Sequence, residues 1–240
     1  MRNILQILFF YIACTATQLH SEEISYLLTA SAKGDIETVK AIIQSGGDPN
    51  TEDKDNTNAL MYASRKNQVV VIEYLISQGA DVNKVENDGW TALMFAAKKN
   101  YTETVEVLLK NNADPKITDP DGWSAYGLAA TSGHYKTIDL LLKGGIDPNS
   151  RNSSGLTVLM LACKSGNVKT IEILINNGAK VELKDRYGKT ALIHAASNGN
   201  ENALNLLLHK GAKVNITDKY EWSALMWAIN NKKYKAAKVL

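Results

Sequence analysis

From residue 25 onward the apolar positions fall into pairs of short runs, each pair followed by a polar, turn-rich stretch. The first run of a pair mixes small and medium apolar residues. Ala92-Leu93-Met94-Phe95-Ala96-Ala97 is one copy, and Ala59 to Ser64, Val158 to Cys163 and Ala191 to Ala196 are equivalents. Directly before each copy stands a residue able to cap a helix with its side-chain oxygen. These residues are Ser25, Asn58, Thr91, Ser124, Thr157, Thr190 and Ser223, spaced 33 apart with no insertion or deletion. The second run places apolar residues 14, 17 and 18 positions after the cap, as at Val105, Leu108 and Leu109 or Ile171, Leu174 and Ile175. That spacing puts them on one stripe of a helix. The pattern predicts seven helix–turn–helix repeats. A stripe this narrow can be buried only when neighbouring repeats stack, so repetition is a requirement of the fold.

Glycine closes the second helix at Gly46, Gly79, Gly145, Gly178 and Gly211, and Asn112 stands there in the third repeat. Both residue types accept the left-handed backbone of a helix end. The polar segment that follows, such as Asp81-Val82-Asn83 through Asp88-Gly89, is expected to project as a hairpin-like finger.

Composition is that of a soluble globular chain: 45% hydrophobic and 22% charged residues, with a formal net charge of +2. Near-neutral charge gives no basis for nucleic-acid binding. Two cysteines, Cys14 and Cys163, cannot build a disulfide framework. Cys163 falls where other repeats carry Ala and reads as a small buried hydrophobe.

The N-terminus reads as an export signal over residues 1–16, with a short linker at 17–24 and the repeats at 25–240. Arg2 supplies the positive charge, Ile4 to Ala13 the apolar run, and Cys14 and Ala16 the small residues of a cleavage site. The run is too short for a stable membrane anchor. Two processing routes fit. One is cleavage after Ala16. The other is lipidation of Cys14, since Tyr11-Ile12-Ala13-Cys14 resembles a loose lipoprotein box. The chain is therefore expected in the periplasm, on the cell surface or secreted, touching a membrane only through a lipid at Cys14. The last repeat stops at Leu240, on the first position of its leucine pair, and the expectation is that the array continues.

These repeats resemble the ankyrin repeat. Gly79-Ala80-Asp81-Val82-Asn83 matches the family loop, and Leu108-Leu109 and Leu141-Leu142 match its leucine pair. The resemblance implies an all-α solenoid of stacked helix–turn–helix units with projecting fingers. It also implies a protein-binding role, with partners meeting the finger tips and the exposed side of the first helices. The family proline is Ala or Val here, which the start of a helix tolerates. The family histidine is Met or another residue, at Met61, Met94, Gly127, Met160, Ile193 and Met226. Its bonds between repeats are expected to give way to apolar packing. Repeat 4 departs furthest, with Tyr126 in a leucine slot and Gly127 beside it, and is expected to be the weakest point of the array.

No catalytic or cofactor site is legible. His20, His134, His194 and His209 share no metal spacing. His194 takes a packing slot held elsewhere by Phe95 or Trp227, while His134 and His209 read as solvent positions. No glycine-rich phosphate loop, calcium loop or nucleophile elbow is present. The chain is expected to be a monomeric protein-interaction scaffold with no cofactor, no metal and no small-molecule substrate. An alternative is an exported effector that binds and blocks a host-cell protein.

The candidate binding residues are aromatic and basic. Trp90, Trp123 and Trp222 occupy one equivalent slot directly before the cap, read as exposed, and Tyr187 and Tyr220 lie close by in adjacent fingers. Arg65, Lys66, Lys98, Lys99 and Lys164 fall at the ends of the first helices. Aromatic and arginine side chains are the residue types enriched at interface hot spots. A positive patch beside them favours an acidic partner.

Overall fold

The computed structural model describes residues 26–240. The signal region at 1–16 with Cys14, the linker at 17–24, His20 and the first cap at Ser25 lie outside the described residues. Those residues divide after Ala92 into two compact bodies. The N-terminal body carries α1 (residues 26–33), α2 (Ile36–Gln44), α3 (Ala59–Ser64) and α4 (Val69–Ser77). In the C-terminal body, first helices are α5 (Ala92–Lys99, beginning at the boundary), α7 (Ala125–Ser132), α9 (Val158–Ser165), α11 (Ala191–Asn198) and α13 (Ala224–Asn230). Second helices there are α6 (Thr102–Lys110), α8 (Tyr135–Lys143), α10 (Val168–Asn176), α12 (Glu201–His209) and α14 (Tyr234–Val239). Each body is an all-α repeat solenoid. In the C-terminal one α7, α9, α11 and α13 pack in succession, as do α6, α8, α10, α12 and α14.

The caps work as their chemistry requires. Side-chain oxygens of Asn58, Ser124, Thr157, Thr190 and Ser223 accept the backbone N–H three residues on, at 3.0 to 3.4 Å. In repeat 5 the Met160 sulfur also receives the Thr157 N–H. Behind the caps, Leu60, Met61, Leu93, Met94, Leu159 and Met160 are buried. In the second helices the positions 14 and 17 after the cap are buried, as at Val105, Leu108, Ile171 and Leu174, while Leu109 and Ile175 are only half-buried. A position missing from the sequence pattern is buried too: Thr104, Thr137 and Thr170. Gly145 needs its glycine for conformation alone. Its φ is +85°, and a Cβ there would meet nothing within 4 Å.

Hydrogen bonds do join the repeats, from a position other than that of the family histidine. In four repeats the residue before the second helix reaches back to one of the last carbonyls of the first helix in the preceding repeat. Asn200 donates to the carbonyls of Cys163 and Lys164, both at 2.8 Å. Gln68 reaches the carbonyl of Ala32, and Asn167 that of Ala130. His134, expected in solvent, is half-buried and donates from Nε2 to the carbonyl of Lys98 at 3.2 Å. The fingers are joined by a second set. Asn149 donates to the carbonyl of Gly178 at 3.1 Å and accepts from Lys180 N–H at 2.8 Å. Asn50 does the same with Gly79 and Asp81, and Glu182 accepts from Lys213 N–H.

Within each finger a side-chain acceptor five residues before the cap closes the turn. Asp53, Glu86, Asp119, Asn152, Asp185 and Asp218 each accept the backbone N–H four residues on, at 2.7 to 3.1 Å. In three repeats the other carboxylate oxygen takes a donor nine residues on. The donors are the Tyr62 hydroxyl (2.8 Å), His194 Nε2 (2.9 Å) and Trp227 Nε1 (2.8 Å). His194 thus has a definite partner where a packing role was expected. Burial pulls its pKa below the usual 6.5; the Asp185 bond opposes this and the charges of Lys189 and Lys164 add to it.

Asn200→Ala removes the two bonds that tie α12 to the end of α9 and is expected to destabilise the C-terminal body by about 1–2 kcal/mol in denaturant unfolding. A second expectation concerns pH. Folded His194 binds its proton less readily than the unfolded chain, so its contribution is complete above pH 6.5 and is lost as pH falls through that value. The slope is at most about 1.4 kcal/mol per pH unit. His194→Tyr, which copies the Tyr62–Asp53 pair, should flatten the stability profile just below pH 6.5; an unchanged slope would assign it elsewhere.

Candidate partner-binding surface

The finger turn sets the position of every aromatic candidate. Because the acceptor five residues before the cap holds the backbone N–H directly before it, Trp90, Trp123 and Trp222 leave the finger from a fixed point. All three are half-buried, a correction to their reading as exposed. For Trp123 and Trp222 the reason is that the ring lies at the base of its finger, against the first helix that follows. Trp123 shows it directly: its ring edge comes within 3.3 Å of where a Cβ on Gly127 would stand. Trp222 rests on Trp227, with ring centroids 5.1 Å apart and planes tilted by 54°.

Tyr187 and Tyr220 are the exposed aromatics. They occupy the same register, three residues before the cap on adjacent fingers, and are 56% and 64% exposed. The two fingers are held side by side by a backbone bond from Lys219 N–H to the Tyr187 carbonyl and by Lys184 Nζ on the Thr217 carbonyl. Beside them Lys189 places its ammonium 3.4 Å from the Trp227 ring centroid. Burial raises the Asp218 pKa, but bonds from the Trp227 indole and from the Trp222 and Tyr220 N–H groups, with the Lys189 charge, hold it below the usual carboxylate value. This end of the C-terminal body therefore gathers Tyr187, Lys189, Tyr220, Trp222 and Trp227 over a fixed negative charge.

Lys189 and Trp227 were not among the candidates read from the sequence. The signal for Trp227 was present: the nine-residue spacing of Asp218 and Trp227 repeats that of Asp53 and Tyr62 and of Asp185 and His194.

The basic candidates sit at helix ends. Arg65 caps α3 and lies 5.7 Å over the Tyr62 ring, with Lys66 exposed beside it. Lys98 and Lys99 lie in the last turn of α5 and Lys164 in that of α9, all exposed. A cation there is favoured by the helix dipole, so these lysines have a local reason for their place as well as an outward-facing charge. Cys163 is fully buried, and burial pushes its thiol up, away from reactivity. Among the described residues no group of three or more His, Cys, Asp or Glu is placed to hold a metal ion. No helix among them is long and apolar enough to cross a membrane.

A family profile described as ankyrin repeats (3 copies) matches residues 27–119, 126–218 and 187–240. No curated protein matches the chain. Among solved structures, the crystal structure of the human ASB11 ankyrin repeat domain is similar. It has a TM-score of 0.77 and 27% identity, covering 84% of this chain and 90% of that one. With caps at a constant spacing, fingers joined by the loop asparagine and a family profile over nearly all the described residues, the chain belongs to the ankyrin-repeat family.

Proposed function

We propose that this ankyrin-repeat interaction scaffold acts outside the cytoplasm and holds a protein partner on its fingers and first-helix ends. The observation that carries the reading is the pair Tyr187 and Tyr220, large aromatics held at equivalent exposed positions on two joined fingers, with Lys189, Trp222 and Trp227 beside them. An isolated exposed aromatic needs no explanation. An aligned pair next to a cation has the composition of an interface centre. The positive helix ends at Arg65, Lys66, Lys98, Lys99 and Lys164 favour an acidic partner by speeding encounter. Export rests on Arg2, the apolar run Ile4 to Ala13 and the small residues that follow.

The mature protein, isolated from its source, is expected to lack about the first 13 to 16 residues by mass spectrometry. A hydrophobic adduct on Cys14 selects the lipidated form, and an intact Met1 rejects export. For the surface, a photo-crosslinking residue at Tyr187 or Tyr220 should capture a protein partner, while one at the outward-facing Glu172 of α10 should not. Tyr187→Ala with Tyr220→Ala should weaken binding by about 2 kcal/mol or more. Its stability should stay within about 0.5 kcal/mol, because both rings are exposed. Capture from the native envelope supports a resident scaffold; capture only from host lysate supports an effector that blocks a host protein. Equal crosslinking from Glu172 would place the surface elsewhere.

A further inference from the structure

Repeat 4 is built around a missing side chain. Three residues after the cap the other repeats carry Leu28, Met61, Met94, Met160, Ile193 and Met226, and all but Met226 are buried. Repeat 4 has Gly127 there. Trp123 closes over part of the space, and Leu161 of the next repeat stands 3.7 Å from where a Cβ would be. What remains is a cavity of about 180 Å³, opening between the fingers that lead into repeats 4 and 5, with Trp123, Ile146 and Leu161 among its walls. An apolar cavity of about 150 Å³ is large enough for a benzene ring.

A second departure falls on the same cleft. The finger position that joins neighbours through Asn50, Asn149 and Glu182 is Lys116 in this finger. Lysine has no side-chain acceptor and cannot take the N–H of the next finger as those residues do. The two fingers do meet near their tips, where the Ser153 hydroxyl donates to the Asp121 carbonyl. Their bases lack the usual join at the level where the cavity opens.

The rim carries charge of one dominant sign. Lys116 and Arg151 line it, and Arg151 is held in place by donating from Nη1 to the carbonyls of Gly155 and Lys184, both at 2.7 Å. The remaining charge, Asp147, is engaged by the N–H of Asn149 in its own turn. Next to Gly127, the Tyr126 side chain is fully buried and its hydroxyl has no hydrogen-bond partner.

We propose that this cleft receives one apolar side chain from an acidic segment of a partner protein, whose flanking carboxylates pair with Lys116 and Arg151. The proposal rests on the interaction-scaffold reading and adds the place and chemistry of one contact. Trp123 then acts as a wall of the pocket and not as a free anchor.

The probe is a phage-displayed library of random peptides, selected on the full chain. The enriched sequences are expected to carry an apolar residue between acidic ones. Gly127→Met fills the pocket with the side chain its sister repeats use, and the pairing of Trp222 with Met226 shows that Trp and Met coexist at these two positions. This variant should lose affinity for the selected peptides at least about tenfold, the scale of a buried anchor. Lys116→Asn restores the finger join by a surface change and should also weaken them, which keeps the test decisive if Gly127→Met fails to fold. Peptides that bind both variants as tightly as the parent overturn the cleft but leave the scaffold reading intact. A library with no enriched peptide overturns the cleft, and the crosslinking from Tyr187 and Tyr220 then judges the scaffold separately.

Discussion

Each helix pair of this chain carries more apolar surface than it can cover by itself, and burial against a neighbouring repeat organises everything else. Val105 and Leu108, or Ile171 and Leu174, disappear from solvent only because another second helix lies alongside. Small residues in the first helices, Ala96 and Ala97 or Ala195 and Ala196, allow the approach this needs. The 33-residue interval follows, since any insertion would shift the stripe of one repeat against that of the next.

Apolar stacking sets closeness but leaves direction open, and polar side chains supply the direction. Asn200 on the Cys163 and Lys164 carbonyls joins the helical layer, and Asn149 on Gly178 and Lys180 joins the finger layer. Both kinds of bond use backbone groups at a helix end or in a finger, where the regular ladder of a helix stops. The finger carboxylate completes the frame by fixing the residue before each cap. The same frame that stabilises the repeats thus places the Trp and Tyr side chains of the fingers.

Repeat 4 departs from its sisters at two places in this frame. Gly127 and Lys116 each remove one element of the frame, a packing side chain and a finger join, and a cleft opens between them. Gly127 is a cost within a helix, and in this repeat its missing side chain leaves a cavity beside Trp123. At the other end, Asp218 collects Trp227 and the two backbone groups of its finger, and Lys189 settles on the indole.

The repeat length, the caps, the left-handed helix ends and the ankyrin resemblance were all legible in the sequence, because each depends on residues within a few positions of one another. Asn58 caps its helix through chemistry that any neighbour would leave unchanged. The burial of Trp90, Trp123 and Trp222, the bond from His134 to Lys98, the pairing of His194 with Asp185 and the cleft beside Gly127 were decided by tertiary structure. His134 and Lys98 are brought together from adjacent repeats, and a pattern read along one repeat holds no record of which carbonyl a side chain will meet. The His194 bond spans only nine residues, yet it forms because the finger folds back onto the start of the first helix. Side-chain exposure in a solenoid is a property of the stacked neighbour, and that neighbour becomes adjacent only when the chain folds.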